Sequence, residues 1–321
     1  MKAVRVYELG GPEVLRYEEL PVPEPQAGQT LIKIEAIGLN YIDCNFRIGA
    51  YKTTLPFTPG MEAAGTVTTI GPAVTEVRVG DRVVYAPHMG AYAEYAVVPA
   101  ERLVRIPEGM DARTASAALL QGMTAHYLAM GTYPLKRGDT ALIHAAAGGV
   151  GSLLIQIAKM RGARVFGTVS TQEKAQLARA AGADDVILYA EQDFAAEAMR
   201  LTNGKGVNVV YDSVGKTTFD QSLKCLAVRG VLALFGQSSG SVPPVDPLRL
   251  WKNSVYLTRP ALADYVGERS ELLERARDVL EWVASGKLQL RISRVLPLQE
   301  AAEAHRLLQA RETTGKVLLV P

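Results

Sequence analysis

The sequence predicts an α/β protein in which a doubly wound parallel sheet is joined to a separate antiparallel or barrel-like β domain. Two observations predict this division. Beyond residue 140, short apolar runs alternate with segments of helical spacing, which is typical of a parallel sheet. Before residue 120, short and partly alternating apolar runs are separated by Gly and Pro turns, which favours an antiparallel β domain.

The β domain is predicted to cover residues 1–122. Its strands are expected at 1–7, 30–36, 64–70, 82–86 and 92–98. The end of the chain contains a strand after residue 294, a helix over 298–309 and a final strand, GKVLLV. A terminal strand satisfies its backbone by joining a sheet, so we expect residues of about 290–321 to complete this first domain.

Residues 123–289 are predicted to form a second domain around TALIHAAAGGVG at 140–151. This stretch is a short apolar run followed by a glycine turn, and a helix over 152–159 comes directly after it. That order places backbone N–H groups and a positive helix end where a diphosphate can bind. Ala146, Gly148 and Gly151 hold the marked positions of the fingerprint G-x-G-x-x-G. Gly148 would let the backbone approach a pyrophosphate, and Gly151 would let the helix pack against the strand. The domain is therefore predicted to be Rossmann-type.

The sheet is expected to continue through four further strands and a helix over 171–181. The strands are predicted at 163–169, 185–188, 207–211 and 231–235, and a strand at 254–258 and a long helix over 262–285 follow them. The uncharged, β-prone runs 230–235 and 254–258 lie near one edge of the sheet. Because two-fold pairing closes an exposed apolar edge, the sequence predicts a homodimer.

The end of the second strand of this domain indicates which dinucleotide is bound. An NAD site usually has Asp or Glu there to accept from the ribose 2′-OH, whereas an NADP site lacks that acid and supplies a cation. The run TVSTQEK at 168–174 closes the strand without an acid. Ser170 offers a hydroxyl, and Lys174 lies one turn into a helix whose N-terminus attracts a 2′-phosphate. The sequence predicts NADPH; the alternative is that Lys174 is a solvated surface lysine.

Composition excludes several classes of function. The 321 residues suffice for two domains, and 48% hydrophobic with 21% charged residues is ordinary for a globular protein. A net charge of +2 without a basic block predicts neither a nucleic-acid nor a membrane partner. The N-terminus lacks the apolar region of a secretion signal, and no apolar run approaches the roughly 18 residues of a membrane span. We expect a cytoplasmic protein.

Cysteine and histidine spacing predicts no metal. The two cysteines, Cys44 and Cys225, are far apart, and none of the four histidines forms an H-x-x-H pair. A closed zinc site needs about four ligands and usually includes a closely spaced pair. The cysteine positions also suggest no disulfide framework.

Longer motifs resemble one known family over nearly the whole chain. They are GLNYIDCNFRIGAY at 38–51, PGMEAAGTV at 59–67, HAAAGGVG at 144–151, YDSVG at 211–215, FGQSSG at 235–240 and the ending RETTGKVLLVP. Together they resemble the zinc-free quinone oxidoreductases, the zeta-crystallin-like branch of the medium-chain dehydrogenase/reductase superfamily. The resemblance implies a GroES-like β-barrel catalytic domain beside the Rossmann-type domain, and a homodimer.

The resemblance also implies catalysis without metal. Zinc-dependent relatives have His before Glu in a G-H-E triplet and a Cys at the end of the preceding strand. Here the triplet is Gly60-Met61-Glu62, and Asn40 stands at the Cys position. Met and Asn are poor zinc ligands beside an incomplete set. The implied activity is an NADPH:quinone reductase that transfers hydride or electrons to an electron-poor acceptor, with the protein stacking the acceptor and excluding water.

Four residues are implied at the nicotinamide and substrate end: Asn40, Tyr41, Asp43 and Tyr51. Either tyrosine would donate to a quinone oxygen as its charge develops, or stack on the ring. The alternatives are that the tyrosines are amphipathic residues at a domain boundary and that Asp43 caps a helix or turn. No residue is spaced as an obligatory general acid.

Further residues are implied in cofactor binding. Arg311 would return to the phosphate; its alternative is a solvated cation at a helix end. The full set implied by the resemblance is Asn40, Thr124, Ala147, Gly148, Gly149, Val150, Gly151, Ser170, Lys174, Tyr189, Ser213, Phe235, Gly236, Ser238, Ser239 and Arg311.

Two other functions remain open from the sequence. Zinc-free relatives also reduce activated C=C bonds, so an NADPH-dependent enoyl or 2-alkenal reductase is the enzymatic alternative. Some relatives are lens structural proteins or bind RNA, which gives a non-enzymatic crystallin-like or RNA-binding alternative. The ordinary charge balance and the complete cofactor motif favour the enzyme.

Overall fold

The computed structural model describes all 321 residues, Met1–Pro321. Its strands, numbered in chain order, are β1 (Lys2–Arg5), β2 (Arg16–Glu19), β3 (Gln29–Leu39), β4 (Ala63–Ile70), β5 (Arg82–Tyr85), β6 (Tyr95–Pro99), β7 (Val104–Arg105), β8 (Thr140–Ile143), β9 (Arg164–Val169), β10 (Asp185–Leu188), β11 (Val207–Asp212), β12 (Leu226–Leu234), β13 (Tyr256–Thr258), β14 (Ile292–Pro297) and β15 (Lys316–Val320).

The α-helices are α1 (Tyr41–Arg47), α2 (Ala112–Tyr127), α3 (Gly149–Met160), α4 (Gln172–Ala180), α5 (Phe194–Leu201), α6 (Phe219–Lys224), α7 (Leu262–Tyr265), α8 (Arg269–Ala284) and α9 (Ala301–Gln309). The helix expected over 262–285 is two helices, because the chain bends at 266–268 and α8 begins after an extended Glu268. Gly267 lies in this bend, and glycine is a weak helix former. No helix has the length and apolarity needed to cross a membrane.

The chain divides into two units. Unit 1 comprises Met1–Met123 and Val266–Pro321, and unit 2 comprises Thr124–Tyr265. The sequence had placed the second boundary near residue 289. Residues 266–289 belong to unit 1 because α8 buries Leu272, Ala276 and Val279, and Arg269 donates to the Leu103 carbonyl at 3.3 Å.

Unit 1 is built on a seven-stranded sheet in which six strands follow the order β14-β15-β3-β4-β5-β7 and the seventh, β6, pairs with β3. The long strand β3 pairs with β4 on one side; on the other side it pairs with β6 along Gln29–Lys33 and with β15 along Ile37–Leu39. The last strand thus joins the first domain, as expected for a terminal strand. The core packs strand residues such as Ile32, Val67 and Leu319 against Ala301 and Ala304 of α9.

Unit 2 is a six-stranded sheet in the order β10-β9-β8-β11-β12-β13, and every neighbouring pair is parallel. The chain first runs outward from β8 to β10 and then returns to the other side of β8 with β11. This reversal places the switch point of the sheet between β8 and β11, where open α/β sheets bind ligands. Apolar side chains including Leu142, Phe166, Val210 and Leu232 form its core.

Candidate active site

The glycine turn lies directly between β8 and α3. Ala145 has a φ of +50°, so the left-handed residue of the turn is Ala145 and not the following Ala146. Gly148 N–H donates to the Ala145 carbonyl at 2.8 Å. A Cβ on Gly151 would overlap that same carbonyl and lie 3.0 Å from the Ala146 Cα, so this position needs glycine for close packing of helix on strand.

The start of α3 presents unpaired backbone donors. Its N-cap is Gly148, and the first helical hydrogen bond runs from Ser152 N–H to the Gly148 carbonyl at 2.9 Å. The N–H groups of Gly149, Val150 and Gly151 precede this ladder and carry the positive end of the helix dipole. Around Gly148, an added Cβ would meet only the Ala145 carbonyl, at 3.1 Å. The turn therefore has space and donors for a phosphate group.

The ends of β9 and β10 bring two more predicted residues together. Ser170 is half-buried after β9, and the Tyr189 N–H after β10 donates to the Val169 carbonyl at 3.1 Å. The Thr171 hydroxyl caps α4 by accepting from the Lys174 N–H at 3.3 Å. Ser170, Lys174 and Tyr189 thus lie at the carboxyl edge of the sheet.

The loops after β11 and β12 are joined by hydrogen bonds. Ser238 N–H donates to the Ser213 carbonyl at 3.1 Å, and Ser239 N–H donates to the Val214 carbonyl at 2.8 Å. The Ser239 hydroxyl also donates to the Val214 carbonyl at 2.7 Å. The predicted residues Ser213, Phe235, Gly236, Ser238 and Ser239 therefore form one cluster.

A buried polar network holds these loops to the sheet. Asp212 ends β11 and accepts from the backbone of Val214 and Gly215 at 2.8 and 3.0 Å. The Ser222 hydroxyl donates to Asp212 at 3.2 Å and lies 3.0 Å from Nε2 of His144. Burial lowers the pKa of His144, and Asp212 opposes that shift. All three side chains are buried, so the network is structural despite its Ser, His and Asp composition.

The second group of predicted residues lies at the start of α1 in unit 1. Asn40 is the N-cap, and the Asp43 carboxylate accepts from the Asn40 N–H at 2.9 Å. The capping alternative therefore describes the position of Asp43, which is 1% exposed. Burial raises the pKa of Asp43, its bond to the Asn40 N–H and nearby Lys316 oppose that rise, and the resulting pKa is about 7.

Asp43 begins a chain of buried polar groups. The Tyr92 hydroxyl lies 3.2 Å from the same Asp43 oxygen and 2.9 Å from Nε2 of His305. Nδ1 of His305 lies 3.0 Å from an Arg47 guanidinium nitrogen. Burial, together with the nearby Arg47 charge, lowers the pKa of His305 to about 3. The other oxygen of Asp43 is buried without a hydrogen-bond partner in the protein.

Asn40 belongs to a second buried cluster. Lys316 Nζ, at the start of β15, donates to Glu62 Oε2 at 2.5 Å and to Asn40 Oδ1 at 2.8 Å. Asn40 Nδ2 donates to Glu62 Oε2 at 3.0 Å and to the Gly38 carbonyl at 2.9 Å. The other Glu62 oxygen accepts from the Leu120 N–H of α2 at 2.6 Å.

The remaining predicted residues of unit 1 lie near α1. Tyr41 is half-buried, and burial raises the pKa of its hydroxyl while the charges of Arg311 and Arg47 lower it. The Tyr51 ring meets the edge of Phe46 at 5.6 Å between centroids. Arg311 follows α9 with a φ of +62°, is exposed, and is close enough to affect Tyr41 electrostatically.

The predicted site residues thus form one group in each unit. Asn40, Tyr41, Asp43, Tyr51 and Arg311 lie in unit 1, and the others lie in unit 2, with Thr124 buried within α2. Sequence reasoning missed Tyr92, His305 and Lys316. The available signals were a lysine opening the apolar strand KVLLV and a lone histidine among the apolar positions of a helix.

The residues at the positions of the relatives' zinc ligands do not fit a zinc ion. The Asn40 amide oxygen accepts a hydrogen bond from the Lys316 ammonium, and the neighbouring Glu62 carboxylate forms an ion pair with the same ammonium. A divalent ion here would be repelled by Lys316 at close range. No group of three or more His, Cys, Asp or Glu side chains in the structure is arranged to hold a metal ion.

Comparison with known families matches both units. Residues 26–108 match the alcohol dehydrogenase GroES-like domain, and residues 149–281 match the family described as zinc-binding dehydrogenase. The name of that family mentions zinc, but the side chains of this protein do not fit a zinc ion. The matches agree with the mixed α/β fold, consisting of a GroES-like domain and a Rossmann-type domain.

Individual relatives match over the full length. A quinone oxidoreductase from Pseudomonas aeruginosa is 43% identical over 100% of this chain and 99% of the relative. A 2-haloacrylate reductase from a Burkholderia species is 41% identical over 99% of this chain and 98% of its own length. The solved structure of a mycobacterial protein in complex with NADPH has a TM-score of 0.97 and 50% identity, and it covers 100% of both chains. This chain is an oxidoreductase and belongs to the quinone oxidoreductase family.

Proposed function

We propose that this oxidoreductase reduces quinones with NADPH and uses no metal ion. The observation that carries the proposal is the carboxyl edge of the unit 2 sheet, where the glycine turn opens α3 and where β9 is followed by Ser170 and Lys174 without a closing acid. The mycobacterial relative binds NADPH, and the Pseudomonas relative is a quinone oxidoreductase.

The residues of unit 2 fit the cofactor. The N–H groups of Gly149, Val150 and Gly151 would bind the pyrophosphate at the positive end of α3. Ser170 and Lys174 would bind the 2′-phosphate, because a hydroxyl and an ammonium form charge-assisted hydrogen bonds with it. When bound, NADPH supplies the hydride. Loops 213–218 and 235–240 would hold the adenine-distal part through their hydroxyl and backbone groups.

The residues of unit 1 favour an acceptor that is already electrophilic. A ketone or aldehyde needs its carbonyl polarised by a cation or a strong acid, whereas a quinone accepts hydride without a metal. Lys316 cannot polarise a substrate, because it is 2% exposed and bound to Asn40 and Glu62. Tyr41 is half-buried with a raised pKa, so its hydroxyl stays protonated and can donate to an acceptor oxygen.

A second candidate activity is reduction of an activated C=C bond. The Burkholderia relative, a 2-haloacrylate reductase, is almost as similar to this chain as the quinone oxidoreductase. Delivery of hydride to the β-carbon of an enal or acrylate requires the same donor and the same exclusion of water.

The experiment that separates these candidates measures NADPH oxidation with four acceptors. They are 1,4-benzoquinone, 9,10-phenanthrenequinone, a 2-alkenal and 2-chloroacrylate. We expect kcat/KM to be at least about tenfold higher for a quinone than for either alkene, a difference of about 1.4 kcal/mol in transition-state binding. Higher kcat/KM for an alkene would replace the proposal with the second candidate, and no turnover with any acceptor would contradict both.

We also propose that the protein is a cytoplasmic homodimer formed through the edge of the unit 2 sheet. Edge strand β13 pairs only with β12, and Tyr256 and nearby Trp251 are 60% and 84% exposed. Large exposed aromatic side chains beside an open strand edge favour pairing with a second copy. Two buried, unpaired cysteines, Cys44 and Cys225, support a reducing compartment.

A further inference from the structure

The buried Lys316–Glu62 pair is not explained by either candidate activity. Lys316 and Glu62 side chains are 2% and 0% exposed, and placing charges in such an environment is costly unless each is paired and hydrogen-bonded. Replacing such a pair with apolar residues is often neutral or stabilising. A role for the charges themselves would account for their presence.

We propose that Lys316 is a positioning residue whose ammonium supplies a fixed positive charge beside Asn40, at the place where zinc-dependent relatives have a metal-binding cysteine. It acts through Asn40 and Glu62 on the start of α1. The part of this proposal that concerns catalysis rests on the proposed function, whereas the electrostatic part does not.

The Asn40 amide can adopt only one orientation beside this lysine. Its two N–H groups donate to the Gly38 carbonyl and to Glu62, and its oxygen accepts from Lys316. Rotating the amide by half a turn would point its NH₂ group at the ammonium and its oxygen at the carboxylate. All of these favourable contacts would be lost, so the lysine and glutamate together fix the amide.

Fixing Asn40 also fixes the first turn of α1. Asn40 is the N-cap of this helix, and its N–H donates to Asp43 in the third helical position. Tyr41 is the first helical residue, so the position of its hydroxyl depends on the same turn. Lys316 also contributes to the local charge balance, because it lowers the pKa of Asp43 while Glu62 raises it.

Gly38 provides independent support. A Cβ at this position would overlap the Glu62 carboxylate and lie 2.8 Å from the Lys316 Cε. Its φ is not positive, so the backbone conformation alone does not require glycine. The space beside Gly38 is needed by the ion pair.

Thermal unfolding of one single variant and one double variant tests the electrostatic part. We expect Lys316→Met to lower the Tm by roughly 10 °C, because it leaves the Glu62 carboxylate buried without its cation. The double variant Lys316→Met/Glu62→Gln should regain at least half of that loss, because no unpaired charge remains. The matched control is Lys159→Met, which breaks a half-exposed Lys159–Asp184 pair at 2.7 Å and should change the Tm by less than about 3 °C.

The positioning part is tested on the double variant, in which stability is restored. We expect kcat with NADPH and 1,4-benzoquinone to fall about tenfold, while the Kd for NADPH, measured by fluorescence without turnover, stays within about twofold. If the double variant does not fold, Gly38→Ala displaces the carboxylate with both charges present and should reproduce the loss of kcat.

The possible outcomes bear separately on the electrostatic and the positioning roles. A Lys316→Met effect no larger than that of Lys159→Met, or no recovery in the double variant, would overturn the electrostatic role. Full kcat in a folded double variant would show that the pair is purely structural and would overturn the positioning role. If the wild type reduces no acceptor, the proposed function fails, but the comparison of Tm values still decides whether Lys316 compensates Glu62.

Discussion

The hydroxyl of Tyr92 lies 2.9 Å from Nε2 of His305, with the two rings perpendicular. Arg47 contacts the other ring nitrogen at 3.0 Å, and a guanidinium can only donate. His305 therefore accepts at Nδ1 and carries its proton on Nε2. It follows that Tyr92 accepts from His305 and donates to Asp43. Arg47 therefore sets the direction of both hydrogen bonds between His305 and Asp43.

Asp43 and His305, at the two ends of this hydrogen-bond network, have opposite effects on stability as pH changes. The pKa of Asp43 is raised from 3.8 to about 7, so its contribution to stability is present at low pH and is lost as pH rises through about 7. The pKa of His305 is lowered from 6.5 to about 3, so its contribution is present above pH 6.5 and is lost as pH falls toward 3. The two contributions oppose each other over most of the range between these values.

Replacing Asp43 with asparagine should expose the histidine's contribution. The amide of Asp43→Asn keeps an acceptor for the Asn40 N–H and Tyr92 but cannot ionise. The free energy of unfolding of the variant should therefore rise by about 1.4 kcal/mol per pH unit relative to wild type between pH 3.8 and about 7, the ordinary and the raised pKa of Asp43. Urea unfolding across this range measures the difference. Asp184→Asn is the control, because the pKa of Asp184 is lowered and its removal should have the opposite sign. Parallel profiles for Asp43→Asn and wild type would contradict the prediction.

Metal removal should leave the enzyme unchanged. Lys316 occupies Asn40 Oδ1 and Glu62 Oε2, so we expect full reductase activity in excess EDTA and no stoichiometric zinc by elemental analysis. Titration of the purified protein with Co²⁺ should produce no ligand-field absorption. One tightly bound zinc per chain, with activity lost on its removal, would refute both this prediction and the role proposed for Lys316.

Preference for NADPH should depend on Lys174. Lys174→Ala should weaken NADPH binding by about 1–3 kcal/mol, the scale of a charge-assisted hydrogen bond, and leave NADH binding nearly unchanged. Ser170→Asp should shift preference toward NADH, because the new carboxylate repels the 2′-phosphate and accepts from a ribose hydroxyl. Isothermal titration with both cofactors measures this, and Lys205→Ala, at an exposed position in unit 2, is the control. Equal losses for the two cofactors would show that Lys174 is a surface lysine.

Substitutions at Gly148 and Gly151, the two glycines of the turn, should have different effects. Gly148→Val should abolish NADPH binding with little loss of Tm, because its Cβ meets only one protein atom, at 3.1 Å, and projects into the phosphate space. Gly151→Ala should lower the Tm, because its Cβ overlaps the Ala145 carbonyl within the fold. Thermal unfolding and NADPH fluorescence distinguish the two effects. Normal binding by Gly148→Val would mean that the fingerprint is misplaced.

Assembly should depend on exposed residues around β13. Val255 is 8% exposed and packs in the unit 2 core, so Val255→Lys tests folding and not assembly. Tyr256→Lys, at a position 60% exposed, should shift a dimer toward monomer at micromolar concentration without a large loss of Tm. Light scattering gives the mass. A monomeric wild type would disprove the dimer, and a Tyr256→Lys dimer would place the interface elsewhere.

The parallel sheet was predictable because its signals are local. The predicted strand at 185–188 coincides with β10, and the glycine turn lies directly between a short strand and a helix, as expected from apolar spacing and adjacent glycines. The break before α8 and its assignment to unit 1 were missed, because one glycine weakly interrupts a helical pattern and only packing decides which core receives the buried face.

Asn40 and Asp43 were predicted from the sequence as site residues, but their long-range partners were not. Asn40 and Asp43 are three residues apart, so a helix start brings them together by itself. Lys316 and Glu62 are separated by 254 residues, and Tyr92 and His305 by 213. These pairs exist only because β15 enters the sheet beside β3 and α9 packs on the same core. Local spacing determined the glycine turn and the helix cap, whereas the buried charges and their proton positions were decided by the tertiary structure, since desolvation and long-range contacts arise only once the sheet has formed.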